Sequence, residues 1–512
     1  MKNKLFLLSG IILCGIIGVL YWFTLQNQIQ LPSDHWSRSY QTNADDGNYS
    51  KLQSVAEGNG YTISLLDFKK LVVLSCDDEM ECKKNRTIDL LNAYKNSWSN
   101  ETDSYFIREN ALIHVNVSSG ETLIAPNVVN FSMTENTLVY WTEDNRVVVL
   151  DNPFSSVKQQ FTLNDPVSDV KVLEDQIFVV TENKKEERFT IYHLSNEPTM
   201  LFQFSISSRE ILSSMQIAQL KDNNFLLFLD KKILAGGSST KNIETAVFGL
   251  TTGQSPDFNS LTFVESQTGI NLKDVQSPVL FQGKQGPMVT FTSTYNDTFG
   301  EMVTKVFVGN FSGNLIQASS ATKSGDRYDR SILLNDQTVA YLKMKGKERF
   351  LEYSSSDEVK KKESNTILAG DYKAAAYTLI GKIFNGFILI LFSFTWIIIT
   401  FLITYGLVFL LQKIRFTYAH RTAFIIHIIA LYSVQTIFLF RFTSFERWVR
   451  NIPFVTENWY FALLLLVCII LSTIPLYILR YKVSEDNFNL CVVYTTFMNL
   501  GVLFFLVGPF IF

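Results

Sequence analysis

The stretch "LSCDDEMEC", Leu74 to Cys82, sets two thiols around Asp77, Asp78, Glu79 and Glu81. Those residue types allow a metal site, a redox pair or a clipped turn. A thioredoxin-like dithiol needs two residues between its cysteines, and five stand here. Zinc needs about four nitrogen or sulfur ligands, and no histidine or second cysteine pair lies nearby. Calcium could use the carboxylates, but the Asx and Gly spacing of an EF-hand loop is missing. The expectation is a disulfide between Cys76 and Cys82, formed where oxidation is permitted, with a cation site or free thiols as the alternatives. Cys14, Cys468 and Cys491 sit in apolar runs instead.

Other reactive groups are sparse. The five histidines are His35, His114, His193, His420 and His427; His114 and His193 fall in strand-like runs, where a core or pleat role is expected. No Gly-x-Ser-x-Gly, phosphate loop or dinucleotide fingerprint occurs, and "AGGSST" from Ala235 lacks the lysine and helix of a phosphate cradle. No catalytic residue, cofactor or metal ligand is expected, and a surface enzyme with a dispersed site stands as a secondary alternative. Lys+Arg 45 against Asp+Glu 48 gives a net charge of −3, so no basic excess points to nucleic acid.

The elements that position these residues divide by hydropathy. Leu5 to Leu25 is uncharged, follows Lys2 and Lys4, and ends near the interfacial pair Tyr21 and Trp22. It reads as an uncleaved signal anchor. Four further uncharged runs follow at about Phe387 to Leu411, Thr422 to Phe440, Trp459 to Leu479 and Leu490 to Phe512. With the N-terminus inside, short cytoplasmic flanks carry Lys2, Lys4, Lys413, Arg415, Arg421, Arg480 and Lys482, against Arg441, Arg447 and Arg450 outside. The segment between the first two spans, and the C-terminus, are then extracytoplasmic. Asn-x-Ser/Thr sites at Asn48, Asn85, Asn100, Asn116, Asn130, Asn296 and Asn310 would accept glycans in a eukaryote, but the Lys, Ile, Asn and Phe bias suggests a bacterial cell membrane.

Inside the apolar runs, His427 is the only ionisable side chain of the proton-relay type. It lies about two turns from Gln435, so a hydrogen bond between helices is expected, with a proton relay as the alternative. Gly10, Cys14 and Gly18 recur every four residues as a small-residue stripe for helix packing. Phe442, Phe445, Trp448, Val449 and Ile452 fall on one face of a short interfacial helix over 442–452 that Pro453 ends.

The extracytoplasmic segment repeats a hairpin pattern. "LVVLSCDDEMECKKNRTIDLL" from Leu71, "TLVYWTEDNRVVVLD" from Thr137, "IFVVTENKKEERFTIYHL" from Ile177 and "TVAYLKMKGKERFLEY" from Thr338 are each a β run, a polar turn and a second β run. Looser copies begin at Ala111, at Phe225 (with a long insertion) and at Met288. This periodicity resembles WD40-like and quinoprotein-like β-propellers, whose four-stranded blades cover one another around an axis. The resemblance implies about six or seven blades, with a β-sandwich pair as the alternative; the spacing between Ala111 and Thr137 is short for a full blade. No repeated Trp-Asp dipeptide accompanies it. A ring also suits a domain tethered at both ends.

The expected organisation is an N-terminal signal-anchor helix over 1–26, a propeller-like domain over 27–353, a linker and interfacial segment over 354–386, and a four-helix membrane region over 387–512. The function expected is a non-catalytic platform that binds, senses or assembles an envelope or membrane protein, with membrane lipid around its helices. A permease or export-complex subunit is the alternative. The insertions from Gly236 and Thr292 are the expected contact loops.

Overall fold

A computed structural model describes the chain apart from residues 1, 59, 68, 91–93, 152–155, 174–175, 222, 236–237, 252, 254, 297–301, 324–325, 415–417, 442–457, 481–482 and 511–512. The chain forms two compact units: Leu31–Asn365, and Met1–Gln30 together with Thr366–Phe512.

The first unit is a seven-bladed β-propeller. Its sheets occupy residues 51–89, 94–125, 128–162, 167–205, 210–260, 262–320 and 327–355. The inner strand of each blade touches the inner strands of its two neighbours, from Lys51–Glu57 round to Arg327–Asn335 and back. The two-residue strand Tyr40–Gln41 pairs antiparallel with Glu348–Ser355, so chain entering the ring completes its last blade. In the sixth blade Thr262–Glu265 adds a fifth strand, parallel to Leu315–Ser320.

Stacking explains why the strands read as nearly continuous apolar runs. In Gln176–Asn183, Phe178 and Val180 join the cluster shared with the fifth blade, while Ile177 and Val179 face the third. Side chains alternate across a strand, so both faces are covered and both stay apolar. The same division holds at every interface, down to the cluster that joins Leu342 and Leu351 of the seventh blade to Ile63 and Leu65 of the first. Each fully buried Leu, Ile, Val or Phe contributes roughly 1.5–3 kcal/mol.

Each hairpin pattern falls in a different blade. The copies at Leu71 and Ala111 are third and fourth strands, whereas those from Thr137 onward are second and third. This change of phase accounts for the short interval before Thr137. The long insertion after Phe225 is instead strand: Asn224–Ala235 and Ser238–Gly249 pair without interruption from Asn224↔Gly249 to Ala235↔Ser238. In the sixth blade Gly286–Asn296 and Met302–Ser312 are similarly long. Residues 236–237 and 297–301 lie outside the described residues.

The polar segment 354–386 is also largely regular. Ser354 and Ser355 finish the last strand, and Asp357 caps helix α2 (Glu358–Ser364) by accepting from the amides of Val359 and Lys360. From Ala369 one helix runs to Lys413, so no loop separates the stretch expected as interfacial from the apolar run after it.

The second unit contains α1 (Lys2–Ile29), α3 (Ala369–Lys413), α4 (Ala419–Arg441), α5 (Asn458–Ile478) and α6 (Phe488–Leu506). All five helices are long and apolar enough to cross a membrane. The expected interfacial helix over 442–452 lies outside the described residues.

Candidate functional site

The seven inner strands enclose a channel of about 820 Å³. Six of them carry a register shift at a similar level: Tyr94/Ser97, Val128/Asn130, Val167/Asp169, Leu212/Ser214, Gln276/Val279 and Asp329/Ser331. A β-bulge breaks the alternation and re-aims side chains. Ser277 and Arg330 have positive φ, 49° and 48°, at two of these bulges. Pro278 has no N–H to give, and Gln216 of the next blade seals the gap: its Nε2 donates to the Pro278 carbonyl at 2.7 Å and its Oε1 accepts from Leu280 N at 2.8 Å.

Charge collects on this wall. Lys51, Lys171, Lys232, Lys241 and Arg330 line the channel with Asp169 and Asp230. Lys171 pairs with Asp169 at 2.9 Å, and Lys241 stands 3.7 Å from Asp230. Burial pushes the Asp230 carboxyl above its ordinary range despite that lysine. The Lys51 ammonium donates to the neutral Oδ1 of Asn96 at 2.8 Å. Burial first, then the like charges of Lys171 and Arg330, push the Lys51 amine down to about 8.

A groove of about 1300 Å³ lies between the long hairpins of the fifth and sixth blades, and Lys232, Lys241 and Ser277 belong to both groove and channel. The arrangement can hold an extended or charged ligand.

The expected site residues fall elsewhere. Cys76 and Cys82 are cross-strand partners joined by a disulfide. Between them Asp77 Oδ1 accepts from the amides of Glu79 and Glu81 at 3.0 and 2.9 Å, which commits that carboxylate to shaping the turn. Among the described residues no group of three His, Cys, Asp or Glu side chains could hold a metal ion. The turn joins the ring closure: Cys82 N donates to Asn43, Tyr353 Oη to the Glu79 carbonyl, and Lys360 Nζ to that of Asp78. His114 lies 2.6 Å from Asp103 and stacks on Tyr105, while His193 lies 2.7 Å from Gln176.

In the helical unit His427 is buried between Thr404 Oγ1, 2.9 Å from its Nδ1, and Thr496 Oγ1, 3.0 Å from its Nε2. Gln435 accepts from Asn499 Nδ2 at 2.8 Å. His427 and Gln435 therefore tie α4 to α6 as separate bonds. The stripe of Gly10, Cys14 and Gly18 is exposed, and a Cβ at either glycine would meet nothing within 4 Å. The close backbone approach in this unit is at Gly386 and Gly508 instead, where a Cβ on Gly508 would lie 2.8 Å from Gly386 Cα.

Fold and channel together define a seven-bladed β-propeller in a chain that also has five apolar helices among its described residues. Among solved structures, similarity extends to a chain of the S. cerevisiae Dbp5–Nup159–Gle1 complex with IP6 and ADP, at 15% identity and a TM-score of 0.38, covering 63% of this chain and 96% of that one. The β-propeller domain of Myceliophteria thermophila Cps50 (Swd1) is similar at 10% identity and a TM-score of 0.37, covering 62% of this chain and 99% of that one. No protein-family model and no curated protein sequence matches.

Proposed function

We propose that this chain is an integral membrane protein that displays its propeller on the extracytoplasmic face of a bacterial cell membrane. There the propeller works without catalysis, binding an envelope protein or a surface ligand as a sensing or assembly platform. The observation that carries this reading is the joining, in one chain, of five apolar helices to a ring with a disulfide and a continuous channel and groove. A disulfide suits a compartment outside the cytoplasm, and the basic flanks of the helices favour the same orientation.

Placement is tested with Ser207→Cys, an exposed position of the fourth blade's outer connection. A membrane-impermeant maleimide should label this variant, and not the parent, in intact cells. Labelling only after lysis overturns the placement. The platform role is tested by cross-linking the full-length protein in cells: one defined envelope protein should be captured. Solute flux through vesicles containing the purified protein, with no captured partner, would favour a permease instead.

A further inference from the structure

Ring closure brings together cations that are remote in sequence. Lys51 belongs to the first blade, Lys171 to the fourth and Arg330 to the seventh, so they face the axis from different walls of one channel. The carboxylates there do not balance them. Asp169 is committed to Lys171 and Asp230 to Lys241. Lys51 has a neutral amide as its acceptor. Arg330 reaches Asp329 at 3.7 Å, a carboxylate it shares with Arg349 at 3.4 Å. Like charges facing one channel repel, and an anion that enters it relieves that repulsion.

We propose that the central channel binds a compact, multivalent oxyanion of the phosphate class, held by Lys51, Lys171 and Arg330. Two ammonium groups supply point charges, and the guanidinium supplies a planar fork matched to two oxygens of one phosphate. Ser277 on the channel wall accepts from Arg330 Nη1 at 3.2 Å, which leaves its hydroxyl proton as a further donor. A single carboxylate offers two oxygens on one edge, whereas a phosphate or pyrophosphate presents charged oxygens to cations on several walls at once. The inference deepens the binding role proposed above and does not depend on membrane placement.

The test uses the full-length protein purified in detergent, with inorganic pyrophosphate as the probe at constant ionic strength, followed by titration calorimetry. Wild type should bind it saturably, one per chain, and Lys51→Met and Arg330→Gln should each weaken binding at least tenfold. Absence of saturable binding by wild type, or unchanged binding by both variants, overturns the proposal. A measurement on the unaltered protein stands beside this: acetylation of Lys51, read by mass spectrometry at pH 8, should slow at least fivefold with saturating pyrophosphate, while that of Lys69, an exposed lysine of a first-blade turn, stays constant. Equal rates at Lys51 with and without pyrophosphate would also overturn it. Failure here leaves the cell-labelling result untouched, and failure of that labelling leaves anion binding intact.

Discussion

Replacing Lys51 by methionine should stabilise the protein near neutral pH. The amine is held down to about 8 from an ordinary 10.5, and each pKa unit corresponds to about 1.4 kcal/mol, so the charged form costs the fold at most about 3 kcal/mol. Against this stands the bond to Asn96, worth about 1 kcal/mol. Asn96 keeps its other contacts, accepting from Ser97 N and donating to the Phe131 carbonyl. The net gain is about 2 kcal/mol. A propeller of this length unfolds with an entropy of about 0.7 kcal/mol/K, which makes the rise in Tm about 3 °C. The sign with pH follows from linkage. Between about 8 and 10.5 the unfolded lysine holds its proton while the folded one has released it, so wild-type stability grows as pH rises through that window. The advantage of Lys51→Met should therefore be full below pH 8 and vanish near pH 10, where the remaining charge cost only offsets the lost hydrogen bond. Thermal melts of both proteins in phosphate-free buffer from pH 7 to pH 10 read this difference directly. A variant less stable at pH 7, or a difference that does not change with pH, would refute the reasoning and make Lys51 an ordinary structural lysine.

Two further outcomes test how the ring is held. Arg86, on the outer strand of the first blade, donates to the carbonyls of Asn100, Glu101 and Asp103 and to Ser104 Oγ, so Arg86→Ala should cost about 3 kcal/mol in a denaturant melt. Arg86→Lys should recover little, because one ammonium cannot span those acceptors. Changing Cys76 and Cys82 together to serine should cost about 2 kcal/mol, since the ring is small. The far-UV circular dichroism should stay that of a β protein, with the turn still held by Asn43 and Tyr353.

The hairpins were legible because a polar turn between two apolar runs is a local signal. Their phase was not: period-2 alternation does not say which strand of a blade a run becomes, and the second strands Gly60–Leu66 and Asp103–Arg108 are followed by turns without the long polar signature. The strand Tyr40–Gln41 is too short to leave any pattern. Helix α2 was readable in principle, since "SDEVKKKE" places Asp357 where an N-cap belongs. The channel could not be found this way. Lys51, Lys171 and Arg330 each stand in unremarkable polar surroundings, bulges interrupt the strands of Lys171 and Arg330, and only closure of the ring makes the three neighbours.

Closure itself rests on side chains more than on the ladder. Tyr40 and Gln41 pair with Tyr353 and Glu352 over two residues only, a length that would fray if the backbone acted alone. Tyr40 stacks on Tyr353 with centroids 5.2 Å apart, and Tyr341 Oη reaches Ser39 and Ser354 at 2.6 and 2.7 Å. Arg38 binds Ser364 at the end of α2, through its backbone amide to Oγ and its side chain to the carbonyl, while the clipped turn of the first blade receives Tyr353 and Lys360. The chain entering the propeller and the chain leaving it are thus tied to each other and to the same blade edge. Opening the ring at this seam would have to break these bonds together with the two-residue pairing of Tyr40–Gln41, so the side chains hold closed the ring that sets the cations around its axis.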